Sequence, residues 1–446
     1  MGKSGSSPSQ SDGANQSPRS LGKGAGKRPL TAGSGEAALP GIKKKSLFYA
    51  WEFGANLGHI GTFLPVARSL RERGHDLCWV VAQPSQAAKL LLADGFAWLQ
   101  APLAQEVKAD GPPLNYAEII LRYGYSETDD LLGLVVAWRE LMLLSGAELI
   151  LADHAPTAIL AARTLGIPVM LFGGGFFAPP QVQPTPNMRP WQQVSTERLT
   201  RADITALTSI NFVLAHFSQP PLQYLAELFC VAEDALLTFP ELDHYAERGP
   251  HKYWGTLPAA VATPPQWPGT HTSRLFAYLR PEGAHFATAL AALRRLEAAV
   301  LVFSPGVTPA LRSKHGAANL MFSDSPVDLN DAARDAVAAV TYGSPAATIA
   351  FLLAGKPVLM IPGHLEQFLF ARRVVEMGAG LIQIPEQPAD GLSEMLSRLL
   401  TDEEMRQNAT AFARKYANFD QNAVITNIVT RIEQLVEMHT TSGIPA

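Results

Sequence analysis

Eleven histidines and two cysteines are the chain's most adaptable chemical groups, and their placement narrows what they can do. Cys78 and Cys230 lie far apart in apolar stretches, in no Cys-x-x-Cys or Cys/His cluster. That argues against a zinc site or redox pair and reads both as small buried hydrophobes, compatible with a reducing compartment. His59 stands in a glycine-bearing turn, Gly54-Ala55-Asn56-Leu57-Gly58-His59-Ile60-Gly61. The spacing is wrong for the G-x-G-x-x-G of a dinucleotide site, and the next strand runs into Gln83 where a ribose-binding acid would stand. No G-x-x-x-x-G-K-[ST] occurs, so a P-loop hydrolase is excluded as well. What remains is a nucleoside diphosphate held by backbone N–H groups at a helix N-terminus.

The elements that must position these groups alternate. A β-type run at 46–54 leads through the turn into a helix whose Phe63, Val66, Ala67 and Leu70 form the stripe of a helix lying on a sheet. Strands are predicted at 78–82, 147–153 and 167–173, with helices at 85–95 and 155–166 between them. A second series begins at 274–280 and continues through 287–297, 299–306, 319–327, 335–343, 347–356, 357–363 and 366–378. Such alternation implies parallel sheets covered on both faces, with right-handed connections. The proline-dense stretch 257–273 reads as a linker, and Thr401 with Glu404 as a capping box before the final helices.

At 446 residues, 47% of them hydrophobic, the chain has material for two cores. A formal net charge of -4 gives no reason to expect nucleic acid as a partner. Residues 1–45 are rich in Gly, Ser, Pro and Lys and read as a disordered tail, with the run Lys43-Lys44-Lys45 taken as solvated. That tail lacks the apolar centre of a secretory signal. No window approaches the roughly 18 apolar residues of a membrane span, since the run LLGLVVAW meets Arg139 and Glu140. The expectation is a cytoplasmic protein with no transmembrane segment, touching a membrane only at a surface.

Two segments carry a resemblance. NLGHIGTFLPVARSLRERGHDL resembles the N-terminal signature of family 1 glycosyltransferases, a histidine after the first strand and then a helix ending in Arg-Gly-His. AAVTYGSPAATIAFLLAGKPVLMIPGHLEQFLFARRVVEMGAG resembles that family's donor-binding motif: a His-Gly-Gly-rich turn, a helix, Gly-x-Pro, a strand, then an acidic residue followed by Gln. The likeness covers nearly everything from residue 46 onward. It implies an α/β chain of the GT-B fold, two doubly wound Rossmann-like domains facing a central cleft. Residues 46–256 would form the acceptor-binding domain, 257–273 the linker, 274–425 the nucleotide-sugar donor domain, and 426–446 a closing helix and tail.

By the same resemblance, His59 is the base that takes the proton of an acceptor hydroxyl, and Asp153 orients it. A single base and one displacement imply inversion at the anomeric carbon. His75 reads as structural and His154 stays unassigned. The leaving diphosphate would rest on Gly343, Ser344, Ala346, Ala347 and Thr348 at a helix start, without a metal or other cofactor. Arg280 would add positive charge, Glu366 and Gln367 would bind the sugar hydroxyls, and main-chain groups at Val327 would clasp the base. The partners implied are a UDP- or dTDP-sugar donor and a hydrophobic small-molecule or lipid acceptor. The segment GGGFFAPPQVQPTPNM is read as a wall of the acceptor pocket.

The pattern departs from the family where its phosphate-binding histidine would stand, here Tyr342, and in the turn's thinned glycines at Ser344, Pro345 and Ala346. Pro345 brings no N–H to the cradle. Two further readings therefore stay open: a non-catalytic GT-B binding protein with a degenerate donor site, and a nucleotide-sugar epimerase.

Overall fold

β1 (Ser46–Trp51) is buried along almost its whole length, and its alternate residues face two different cores. Phe48 and Ala50 point to one, Leu47, Tyr49 and Trp51 to the other, as in a parallel sheet covered on both sides. The computed structural model describes residues 43–54, 58–245, 248–259, 262–384 and 386–441. The tail expected at 1–45 lies mostly outside these residues. Lys45 does not: its side chain is buried and pairs with Glu148 at 3.7 Å, so the last lysine of the basic run belongs to the fold, contrary to the solvated reading.

The first half continues with α1 (Gly58–Glu72), β2 (Asp76–Val81), α2 (Pro84–Leu91) and β3 (Trp98–Gln100). Next come α3 (Tyr116–Ile120), α4 (Thr128–Ser145), β4 (Leu149–Asp153) and α5 (Pro156–Leu165). β5 (Val169–Gly173), α6 (Thr196–His216) and β6 (Glu233–Leu236) complete it. The second half begins with β7 (Arg274–Tyr278), α7 (Phe286–Leu293), β8 (Ala299–Phe303), α8 (Pro309–His315) and β9 (Leu320–Phe322). It runs on through α9 (Leu329–Asp335), β10 (Ala338–Thr341), α10 (Pro345–Leu353), β11 (Val358–Met360), α11 (Leu365–Glu376) and β12 (Gly380–Ile382). Last are α12 (Leu392–Thr401), α13 (Glu403–Lys415) and α14 (Gln421–Thr441).

The two six-stranded sheets have orders β3-β2-β1-β4-β5-β6 and β12-β11-β10-β7-β8-β9. They have the same topology, and every pairing of named strands is parallel. These are the two doubly wound domains expected of a GT-B chain. Phe63, Val66, Ala67 and Leu70 are all fully buried on α1, as their spacing requires.

The chain does not keep its halves separate. α14 returns to the first domain, where Val424, Ile428, Val429, Ile432, Leu435 and Val436 join the core beneath α1. Glu433 on this helix receives Arg73 at 2.8 Å and contacts His75 Nε2 at 3.0 Å. Lys45 donates its backbone N–H to Nδ1 of the same imidazole, so His75 ties β1 to the last helix. In the other direction, Phe239 and Leu242, just after β6, pack into the second domain's core.

Local details differ from expectation. Asp402, not Thr401, caps α13 by accepting the Met405 N–H at 3.0 Å. Thr401 closes the preceding helix and donates its hydroxyl to Ser397 O. Cys230 is exposed rather than buried, while Cys78 is half-buried. The run LLGLVVAW is the middle of α4, which buries Leu131, Val135, Trp138 and Met142. Among the described residues no helix is long and apolar enough to cross a membrane.

Candidate functional site

Where the strand order of the first sheet reverses, β1 and β4 lie side by side, with Trp51 paired to Asp153 at their carboxyl ends. Open α/β sheets bind ligands at such a crevice. α1 starts at Gly58, so His59 enters from the first turn of a helix, while Asp153 is the last residue of its strand. His59 Nδ1 lies 3.0 Å from Asp153 Oδ1. Tyr49 donates its buried hydroxyl to Asp153 Oδ2 at 2.7 Å. The imidazole stacks on Trp51 with ring centroids 4.9 Å apart, and Phe177 lies 5.6 Å away. Sequence reasoning missed Tyr49 and Trp51, whose only signal is their place at or near the end of the first strand, whereas Phe177 falls in the segment read as a wall of the acceptor pocket.

With Nδ1 turned to the carboxylate, Nε2 is the nitrogen left for proton transfer. It abuts Gly54, whose backbone is left-handed at φ +88 and where a Cβ would come within 2.6 Å of Nε2. Glycine is required there by conformation and by space alike. Burial by itself would lower the pKa of His59, but the charge and hydrogen bond of Asp153, with a smaller push from Glu366, outweigh it and raise it. Glu366 reaches this site from the second domain, at the start of α11. Burial pushes its carboxyl up to about 7, with His59 pulling down and Asp153 pushing up. The residue expected to bind donor sugar thus shares an electrostatic environment with the residue expected to be the base.

The second reversal lies between β7 and β10. Arg280 and Tyr342 follow these strands and line a cavity of about 380 Å³ with Gly283, His285, His364 and Gln367. Arg280 donates to Glu282 at 2.8 Å, and its guanidinium stands 5.9 Å from the Tyr342 ring centroid. Gly343 is left-handed, and a Cβ on it would meet Gln367 Cβ at 2.9 Å. Gln367 in turn accepts the Gly363 N–H at 2.8 Å. His285 and His364, not singled out from sequence, occupy the N-cap positions of α7 and α11. Burial lowers His364 to about 4.

Ser344 stands at the N-cap position of α10 without a side-chain capping bond, Pro345 is the first residue of the helix, and Ala346 and Ala347 follow. The N–H groups of those two belong to the first helical turn, which has no internal partners for them. Thr348 does not join this cradle: its N–H is taken by Ser344 O and its hydroxyl faces Thr341 in the core. Val327 is buried and lies outside the cavity wall. Thr263 pairs with Pro326 O and Asp328 N–H on either side of it, so the N–H and C=O of Val327 itself turn the opposite way.

No family model matches the chain. Over 313 residues it is 26% identical to the PGL/p-HBAD biosynthesis glycosyltransferase of Mycobacterium tuberculosis, covering 65% of this chain and 72% of that protein. Over 91 residues, 20% of this chain, it is 35% identical to a sterol 3-beta-glucosyltransferase of Vanderwaltozyma polyspora. That match spans only 7% of the yeast protein. Among solved structures it is similar to the calicheamicin glycosyltransferase CalG4, with TM-score 0.63, 18% identity and coverage of 91% of this chain and 100% of that one. It is also similar to the glycosyltransferase VinC in complex with dTDP, with TM-score 0.55, 16% identity and coverage of 88% and 99%. The chain therefore has the GT-B fold, and by fold, relatives and site it falls in the glycosyltransferase class, similar to family 1 of that class.

Proposed function

We propose that the protein moves a sugar from a UDP- or dTDP-sugar to a hydroxyl of a hydrophobic small-molecule or lipid acceptor, inverting the anomeric carbon. The observation that carries this reading is the His59–Asp153 pair, 3.0 Å apart at one sheet's reversal point and electrostatically coupled to Glu366 from the domain that holds the donor cavity. His59 Nε2 takes the acceptor's proton while the acceptor oxygen attacks the anomeric carbon from the face opposite the diphosphate. The carbon–phosphate-oxygen bond breaks, and the electron pair leaves with the nucleoside diphosphate. The imidazolium so formed is stabilised by Asp153, which Tyr49 holds in place.

The diphosphate would receive the N–H groups of Ala346 and Ala347 at the start of α10 and the positive charge of Arg280. No step of this scheme calls for a metal. The acceptor class is supported by the apolar walls around His59 and by the relatives' names, a sterol 3-beta-glucosyltransferase and a PGL/p-HBAD biosynthesis glycosyltransferase. The same reading places the protein in the cytoplasm, where the free thiols of Cys78 and Cys230 are stable.

The test is a melting panel with UDP, dTDP, GDP and no ligand, followed by turnover of the matching sugar nucleotide. A nucleotide at about 100 times its dissociation constant stabilises by roughly 2.7 kcal/mol. A shift with UDP or dTDP, and transfer lost in His59→Ala, supports the reading. Absence of any shift favours the non-catalytic alternative, and sugar isomerisation without acceptor favours the epimerase.

A further inference from the structure

His154, directly after Asp153, is only 8% exposed, and among the described residues neither of its ring nitrogens has a hydrogen-bond partner. A neutral imidazole carries one donor and one acceptor, so two polar atoms are left buried and unsatisfied, which proteins seldom tolerate. Burial, and after it the charge of His59, holds the ring well below its ordinary pKa, which keeps it neutral. The residue is also left-handed at φ +46, a conformation side-chain-bearing residues rarely adopt and one that collects at ligand sites.

What surrounds the ring is aromatic. Phe177 stacks on it with centroids 4.1 Å apart and planes at 18°, Phe53 presents an edge at 5.4 Å, and Phe176 another at 6.3 Å. Phe177 is also the ring lying 5.6 Å from His59. One aromatic ring therefore sits within reach of both histidines, in a space of just that size. Phe177 hangs from the run Gly173-Gly174-Gly175, and Gly173 is itself left-handed at φ +136. A cavity of about 10 Å³ opens beside His154, Gly173, Gly174 and Phe177.

The geometry points to His154 as the acceptor-recognition residue: it hydrogen-bonds a second hydroxyl or a carbonyl on an apolar ring acceptor whose reacting hydroxyl lies at His59. The acceptor ring takes the place of Phe177 against the imidazole, and the glycine run lets that side chain swing aside. This deepens the sugar-transfer reading above and rests on it. An acceptor with one polar group engages His59 alone, whereas one with two, spaced across a ring system, engages both histidines. The Gly173–Gly175 run earns its glycines twice, since a Cβ on Gly173 would meet Phe177 at 3.0 Å and Asp153 at 3.1 Å.

The experiment compares equilibrium binding of naphthol with that of a set of dihydroxynaphthalene isomers and hydroxynaphthaldehydes, read by quenching of tryptophan fluorescence. The wild type is expected to bind at least one two-oxygen probe about tenfold more tightly than naphthol, the gain of one added hydrogen bond. Preference for dihydroxy probes identifies a hydroxyl partner, and preference for the aldehydes a carbonyl. His154→Phe removes the preference while leaving naphthol binding within about threefold. His154→Gln, which keeps a donor and an acceptor, retains part of it. His154→Asn, compatible with positive φ but too short to reach, serves where the phenylalanine variant does not fold. A wild type without preference, or a preference that survives both His154→Phe and His154→Asn, overturns the assignment. The nucleotide melting shift runs alongside on every variant: its absence from the wild type counts against sugar transfer, while the probe series still judges His154.

Discussion

Replacing Asp153 with asparagine keeps the shape of the site and removes the charge that governs His59. In the wild type, burial lowers the pKa of the imidazole and the carboxylate at 3.0 Å more than reverses this. Without the carboxylate, only Glu366 still opposes burial, and the pKa falls. Unit charges about 4 Å apart in an effective dielectric of about 20 interact by about 4 kcal/mol. That amount stabilises the imidazolium in the transition state and is absent while the ring is neutral, so its loss falls on kcat. At about 1.4 kcal/mol per tenfold, Asp153→Asn lowers kcat by roughly two to three powers of ten. The pH profile gives an independent sign. A base must be deprotonated to act, so activity rises as pH climbs through the raised pKa of His59, and in Asp153→Asn this acidic limb moves to lower pH. Initial rates between about pH 5 and 9 measure both effects. A limb that stays in place, or a loss confined to KM, refutes the claim that Asp153 acts through His59.

Three further outcomes follow from the same geometry. Gly54→Ala forces a left-handed residue to carry a Cβ 2.6 Å from His59 Nε2; turnover should fall at least tenfold while nucleotide-induced melting shifts persist, since the donor cavity lies in the other domain. Glu52, which accepts the Thr157 N–H at 2.9 Å, is pushed up to about 8 by burial, and Glu366 to about 7. The unfolded chain releases these protons near pH 4.5 and the folded one holds them, so stability falls as pH rises from about 5 to 8; Glu52→Gln should flatten that slope by a few kcal/mol in urea titrations. Arg248 donates to Asp243 and to the carbonyls of Gly175 and Ala178, bracing the loop that carries Phe177. Arg248→Met leaves the Asp243 carboxylate buried without a cation, held only by the Tyr253 hydroxyl and the Tyr245 N–H, and should cost about 3 kcal/mol of stability in denaturant melts, with Asp243→Asn in the same background restoring part of it.

Much of this site could be read in the sequence because its groups sit where strands end. His59 after a glycine turn and Asp153 closing LILAD are positions that a doubly wound sheet brings together whatever the loops do. Tyr49 is different. It lies mid-strand, two residues before β1 ends, and only the stacking of α1 on that face turns its hydroxyl to Asp153. The continuous apolar run of β1 identifies it as buried without saying which neighbour its polar atom meets. The short strands β3, β6 and β12 went unread, although β9 and β11 are no longer than they are, because no apolar run like VLMI marks them. The polar helix α6 escaped for another reason, since its buried Leu199, Ala202, Ala206, Ile210 and Val213 are diluted by threonines and charged residues.

The donor half raises the harder question of what Tyr342 and Pro345 do to a phosphate site. Pro345 costs less than its missing N–H suggests. It is the first residue of α10, where a ring-locked φ suits the helix and where an unpaired donor would have stood in any case. Ala346 and Ala347 keep theirs, and the helix dipole is unchanged. Tyr342 removes the imidazole expected there, but its ring meets the edge of Tyr278 at 4.9 Å and lies under the guanidinium of Arg280. The tyrosine thus becomes a platform beneath a permanent cation, in place of a histidine that would be charged only when protonated. On the proposed reading, phosphate binding would be carried by backbone N–H groups and Arg280 rather than by an imidazole. A donor site built this way should hold a nucleoside diphosphate with an affinity nearly independent of pH between about 6 and 9, apart from the response of Glu366, whose carboxyl burial pushes up to about 7.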